Sequence, residues 1–340
     1  MLRVEPARVN LRAIARLDEI YAAVRERRLS PAGAIAELER SDVPPLRVPM
    51  QIVATAAVAL GVALILGGGI REQAVAAAIG ATTGVIAAFA ERNRIIDRLF
   101  EVIAGFLATL IVAGSRFLLG PTDIYISVFA GIVVLLPGYS LTLALHELAN
   151  RDLVAGTARL GKVLSTLLAL GCGALLGVAV TGPALFAGIA RPQPVASWVL
   201  VPAAVLMGLG EAVTLQARRR DVAWVLAACA VAITAEHLFS RPPFHAVEAF
   251  LSALLCGSVA NLGARFARVP QPVVLVPALI VLVPGSLSYE SVLLAFHHQL
   301  ADAMTIAVNT VSATVQIVAG LLLTQLLFPE APLRAVRDRR

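Results

Sequence analysis

The sequence predicts an all-α, polytopic membrane protein: ten transmembrane helices as a 5+5 inverted-topology repeat, behind a short N-terminal cytoplasmic helical hairpin. Three observations predict it. Apolar runs of bilayer length recur along the chain, basic residues alternate between the connections, and a Pro-Gly break occurs twice at one fixed offset. Of 340 residues, 59% are hydrophobic and only 15% are charged, with a mean hydropathy of +0.84. An ordinary soluble domain carries about 25% charged residues. The formal net charge of +6 comes from arginines scattered between apolar runs, so it does not form a nucleic-acid footprint. Cys172, Cys229 and Cys256 fall inside apolar runs with neither pairing nor metal spacing, and read as inert buried thiols.

Residues 1–48 read as the cytoplasmic hairpin, charged enough that no cleavable secretion signal is expected. Asn10 is a helix cap, followed by Leu11, Ile14, Leu17, Ile20 and Val24 at helical spacing. Ser30-Pro31 is a second start signal, with Ile35 and Leu38 on one face. Pro44, Pro45 and Pro49 end the pattern. Crossing about 30 Å of hydrocarbon takes roughly 20 residues. Runs near that length occupy 49–70, 73–90, 99–118, 122–146 and 160–181, a first five-helix unit within 49–182. A second unit within 195–329 holds runs at 195–216, 222–239, 244–262, 270–292 and 303–328, leaving 330–340 as a tail.

Charge tests the count. With the N-terminus cytoplasmic, the inner connections carry Arg92, Arg94 and Arg98; Arg151, Arg159 and Lys162; Arg218, Arg219 and Arg220; and Arg265 and Arg268. The outer ones hold single arginines, Arg71, Arg116, Arg191 and Arg241. Every connection obeys the positive-inside rule, which places both termini in the cytoplasm.

The breaks read Val-Val-Leu-Leu-Pro-Gly at 133–138 and Ile-Val-Leu-Val-Pro-Gly at 280–285. Pro137 and Pro284 are 147 residues apart, and that offset carries each span of the first half onto one of the second. Five spans per half is an odd number, so the halves insert with opposite orientation, as in many secondary transporters. Proline removes a donor and pushes its predecessor out of the helical region. In hydrocarbon each freed backbone group costs several kcal/mol, roughly, unless it is satisfied.

Pro137, Gly138, Tyr139, Ser140 and Thr142 at the first break, and Pro284, Gly285, Ser286, Ser288 and Tyr289 at the second, are therefore candidate substrate-binding residues. Hydroxyls beside unpaired backbone groups can replace water around a small zwitterion. Helix N-termini favour its carboxylate, and free carbonyls favour its ammonium. The plainer alternative is a packing kink with serines bonded back to the freed carbonyls. Thr305, Asn309, Ser312 and Gln316 share one face of the last span, which is expected to face the bundle interior, for substrate or for interhelical hydrogen bonding. Glu101 and Glu248, offset mates at span starts, and Asp152 at the inner surface are candidates for proton coupling. The alternative is that they are solvated acids at helix starts. Glu211, Glu236 and Glu290 lie near span ends and are weaker candidates. His146, Glu147, His297 and His298 show no ligand spacing, and no nucleophile–base grouping or phosphate loop occurs. No enzyme activity, cofactor or metal is expected.

The stretch Leu-Leu-Pro-Gly-Tyr-Ser-Leu-Thr at 135–142, continuing to Leu160, resembles the threonine/serine exporter family of bacteria. The elements that carry the resemblance are Pro137, Gly138, Asp152, Gly156 and Arg159, with Val283 to Ser286 as the second Val-Pro-Gly-Ser. It extends over nearly the whole chain, although the family usually has a longer cytoplasmic region ahead of the hairpin. The resemblance implies export of small hydroxy amino acids, threonine or serine, across the bacterial inner membrane, driven by the proton-motive force. The implied partners are the amino acid, protons and lipid, with no nucleic acid; an oligomer is allowed. Some relatives divide the two units between chains and are linked to dicarboxylate export, which leaves a succinate-type exporter as an alternative. A non-transporting scaffold subunit is another.

Overall fold

The computed structural model describes residues 9–39, 46–182, 195–267, 269–282, 285–296 and 299–328, and those residues are helices and short connections, without a strand. The N-terminal patterns become α1 (Leu11–Arg25) and α2 (Pro31–Glu39). Asn10 caps α1, its side chain accepting from the Ala13 N–H at 3.0 Å, and Ser30 accepts from the Gly33 N–H at 3.1 Å. Arg16 of α1 pairs with Glu37 of α2. Leu11, Ala15 and Ile20 are buried, whereas Leu17 and Ile35 stand 53% and 60% exposed. The predicted apolar faces are thus only partly used. The reason is that α1 lies on one end of the membrane bundle and is covered from one side. The Leu11 N–H donates to the Leu215 carbonyl at 2.8 Å, Asn10 donates to Gln216 at 3.0 Å, and Glu19 accepts from Arg218 at 2.6 Å and Arg220 at 2.5 Å.

Among the described residues, nine helices are long and apolar enough to cross a membrane, and one bent pair brings the number to ten if the pair is a single span. In the first half they are α3 (Val48–Ile65), α4 (Ile70–Ala90), α6 (Phe100–Leu119), which follows the short α5 (Arg94–Arg98), the bent pair α7 (Ile124–Ile132) and α8 (Gly138–Ala149), and α9 (Leu153–Thr181). The second half supplies α10 (Leu200–Thr214), α11 (Val222–Phe239), α12 (Glu248–Ala267), α13 (Gln271–Leu282), α14 (Gly285–Phe296) and α15 (Leu300–Leu327). α13 and α14 belong to one 26-residue span, Gln271–Phe296. Val283 and Pro284, the predicted second break, lie outside the described residues.

The halves are packed alike. α3 packs on α4, α4 on α6 and α7, α6 on α9, and α8 on α9. In the second half α10 packs on α11, α11 on α12 and α13, α12 on α15, and α14 on α15. The halves join through α3 against α10 and through a crossover, in which α8 touches α15 while α14 touches α9. Without water to drive association, membrane helices approach through small residues. A Cβ on Gly61 would meet Met207 Cγ at 2.6 Å and the Ala203 carbonyl at 3.0 Å, and one on Gly210 would meet Val58 Cγ2 at 2.5 Å and the Ala54 carbonyl at 2.7 Å. These are the same contact made twice, 149 residues apart at every position. As α3 advances from 54 to 61, its partners on α10 recede from 210 to 203, so the two helices run antiparallel. The α6–α9 and α12–α15 pairs repeat one another too. Gly173 fits against the backbone of Val102 and Phe106, and Gly320 fits against that of Phe250 and Leu254.

Candidate substrate-binding site

The site begins with the broken helix. Pro137 lacks an N–H, so the helical ladder tightens ahead of it into a 3-10 turn over Val133–Leu135. Leu136 takes the extended conformation expected of a residue before proline, φ −66° and ψ 125°. The chain re-enters a helix at Gly138, bent by 58°. The first N–H groups of α8 have no intrahelical acceptor and point back toward the break. A Cβ built on Gly285 would stand 3.1 Å from Leu136 Cβ and 3.5 Å from Gly138 Cα. The glycines of the two Pro-Gly motifs therefore lie beside one another where the starts of α8 and α14 cross.

From this crossing α8 runs along a cavity of about 130 Å³ bounded also by α12, α13 and α15. That volume holds several waters or one small solute. Leu143, Leu275, Leu279 and Leu321 form its apolar wall. Its polar groups are Tyr139, Thr142 and His146 from α8, Asn261 from α12, Gln271 from α13, and Thr324 and Gln325 from α15. Thr142 Oγ1 and His146 Nδ1 are buried and without a hydrogen-bond partner. They lie four residues apart, on one helical face. An unpaired buried polar atom costs about 1–3 kcal/mol, and the cavity beside it is where a partner would sit. At the end farther from the crossing, Gln271 Nε2 donates to Asn261 Oδ1 at 2.6 Å, and Asn261 Nδ2 donates to the Phe328 carbonyl at 3.3 Å.

α8 is held in place from behind. Arg159 of α9 grips Glu147 in bidentate fashion, with Nε donating to Oε2 at 3.0 Å and a terminal nitrogen donating to Oε1 at 2.7 Å. Gly156 lets the two helices meet: a Cβ there would lie 2.7 Å from Leu148 Cγ and 3.0 Å from the Ala144 carbonyl. Asp152 caps α9 by accepting from the Ala155 N–H at 3.3 Å.

The structure thus brings Pro137, Gly138, Gly285, Tyr139 and Thr142 together. Ser140 is half-buried and outside the cavity lining. Ser288 is buried on α14, away from the cavity, and Tyr289 is fully buried in the first half of the bundle. Pro284 lies outside the described residues, as does the side chain of Ser286. Asn309 and Ser312, with Thr305, are on the exposed face of α15, which corrects the expectation that this stripe faces the interior. α15 instead turns Thr310, Thr314, Ile317 and Thr324 inward, because Gly320 must meet α12. Gln316 reaches sideways, its Nε2 donating to the Ala246 carbonyl at 3.3 Å. Glu101 sits in the first turn of α6, and Glu248 sits beside His245 at 3.4 Å.

Sequence reasoning missed Asn261, Gln271, Thr324 and Gln325, which no spacing joins to α8. It read His146 only as lacking ligand spacing, although the four-residue step from Thr142 was available. It also ranked Glu211 low. That carboxylate is 2% exposed, with one oxygen unpartnered and the other accepting from Cys229 Sγ at 3.5 Å. Among the described residues no group of three or more His, Cys, Asp or Glu stands close enough to hold a metal ion.

A bundle of bilayer-length helices, one pair of them bent at a break beside a solute-sized cavity, defines a multi-pass membrane protein. Residues 1–181 match a family model described as "Putative threonine/serine exporter", and residues 201–327 match one described as "Threonine/Serine exporter, ThrE". The chain belongs to the threonine/serine exporter family. It is also similar to two curated proteins called pheromone-regulated membrane protein 10. The one from Eremothecium gossypii is 24% identical over 257 residues, 69% of this chain and 33% of that protein. The one from Debaryomyces hansenii is 26% identical over 262 residues, 73% of this chain and 26% of that protein. The chain therefore spans a third or less of the length of these curated relatives. No solved structure matches.

Proposed function

We propose that the protein is a secondary active transporter that exports small hydroxy amino acids, threonine or serine, from the cytoplasm at the expense of the proton-motive force. The observation that carries this reading is the cavity beside the broken helix, where the hydroxyl of Thr142 and Nδ1 of His146 are buried without partners. Family membership supports the substrate class. The cavity lining holds no Lys or Arg, which favours an amino acid, with its own ammonium, over a dicarboxylate that would call for paired cations.

The cavity belongs to a 5+5 inverted repeat. Support comes from the matched packing pairs, the twice-made α3–α10 contact and the antiparallel course of those helices. Arginine-rich connections favour cytoplasmic termini and an inner-membrane setting. Protons enter through intramembrane acids. To Glu101, Glu248 and Asp152 the burial of Glu211 adds the strongest candidate, since a carboxylate in a dry site without a cation is costly and is retained for use.

The test is a solute-efflux panel on reconstituted protein, with and without a proton gradient. Threonine or serine efflux that rises with the gradient is expected. Gradient-independent efflux would remove the coupling, and efflux of succinate instead of threonine would replace the substrate.

A further inference from the structure

We propose that the first half of the bundle holds a second site for the same kind of solute, reached from the opposite membrane face, and that the Tyr289 side chain occupies it in this conformation. The inference rests on the repeat and transport reading above. The cavity is lined by Thr142, Leu275, Leu279 and Leu321. Stepping by the 147-residue offset of the Pro-Gly motifs, the counterparts are Tyr289, Val128, Ile132 and Ala174. Those four residues pack into one cluster of buried side chains. Of four positions that line a void in one half, three thus pack in one cluster with the phenol of the fourth in the other.

Tyr289 is 0% exposed and its ring meets Phe129 edge-on, with centroids 5.4 Å apart. Its hydroxyl is buried without a hydrogen-bond partner, an anomaly for a tyrosine settled in an apolar core. The orphan becomes intelligible if this pocket is built for a polar guest and Tyr289 is a removable occupant. The far end of the pocket is polar as well, since Tyr125 Oη donates to Glu290 Oε2 at 3.3 Å. Gln271, at the corresponding end of the open cavity, maps onto Ile124, the neighbour of Tyr125. A hydroxy amino acid is the fitting guest because the cluster offers the same mixture of apolar wall and isolated hydroxyl as the open cavity.

The test uses the full chain in proteoliposomes with Cys172→Ser as background, and single reporter cysteines at Val128 or Leu275. Labelling by a membrane-impermeant maleimide is read from each side. Val128→Cys is expected to be protected while Tyr289 is present and to lose that protection with Tyr289→Thr, from the side opposite to the one that labels Leu275→Cys. Tyr289→Phe should keep the protection, and Tyr289→Leu provides a second opening variant should the threonine fail to fold. Tyr289→Thr protein should also take up a second equivalent of threonine. Val128→Cys labelling equally with Tyr289 in place would overturn the inference. So would protection that persists in folded opening variants, while threonine still shields Leu275→Cys. If threonine shields neither cysteine, the transport reading itself fails.

Discussion

Thr142→Val is the substitution that separates a binding hydroxyl from a structural one. The two side chains are β-branched and nearly the same in shape, so the space filled in α8 is retained while the hydroxyl is lost. Thr142 Oγ1 is buried without a hydrogen-bond partner, and the residue is 1% exposed. A buried orphan hydroxyl costs about 1–3 kcal/mol, so replacing it with a methyl should stabilise the empty protein by up to that amount. Loss of one hydrogen bond to solute removes about 0.5–1.5 kcal/mol of binding, which is about twofold to tenfold in affinity. Stability and affinity should therefore move in opposite directions. The first is measured by thermal unfolding of detergent-purified protein with and without threonine, the second by the threonine concentration that half-saturates efflux. Unfolding at higher temperature with a weaker ligand-induced shift is the expected pair. A valine variant that is less stable, with threonine affinity unchanged, would refute the reasoning, because it would mean that the hydroxyl is bonded within the helix and does not meet solute.

Three further outcomes follow from individual contacts. Gly156→Ala places a methyl within 2.7 Å of Leu148 Cγ and 3.0 Å of the Ala144 carbonyl, and overpacking of this kind costs about 1–3 kcal/mol; denaturant unfolding should show the loss, with efflux reduced as α8 shifts. Burial raises the Glu19 carboxyl pKa, but hydrogen bonds from Arg218 and Arg220 outweigh it and hold the group below its usual range. Its contribution to seating α1 is thus present above the ordinary carboxylate pKa and lost as pH falls through the lowered one. Amide exchange at Leu11 should accelerate in acid, and Glu19→Gln should abolish that pH dependence. Glu211→Gln keeps the size of the buried side chain and removes its ionisable group; efflux from the variant should lose its response to a proton gradient while the protein still folds.

The sequence disclosed the fold well because its signals were one-dimensional. Hydrophobic length placed the helices, and Pro137 placed the break, at which the chain bends by 58°. Asn10 and Ser30 announced their caps by residue type. The site was legible only along α8, where Tyr139 and Thr142 follow the break. Its other walls come from α12, α13 and α15, and which face each helix turns inward is settled by close packing. The Asn309–Ser312 stripe shows the difficulty. Its spacing correctly describes one helical face, but Gly320 must fit against the backbone of Phe250 and Leu254, and that contact rotates the stripe outward.

Packing and chemistry have parted company between the halves. The small-residue contacts recur even where the residues trade places: Gly177 of α9 sits against Thr109 of α6, while Gly257 of α12 sits against Thr324 of α15. A pair survives an exchange of partners because only the sum of the two volumes matters to helix approach. The polar groups do not recur in this way. Glu211 maps onto Val62 by the offset of the α3–α10 contact, and Thr142 maps onto Tyr289 by that of the Pro-Gly motifs. On the repeat reading, the shared packing fixes where two pockets would form, whereas single substitutions decide which one is open and which carries an acid. A mechanism on this scaffold would therefore be directional at the level of side chains even though the helix contacts of the two halves match. Changes at Thr142, Tyr289 and Glu211 should alter the direction and coupling of transport before they alter the fold.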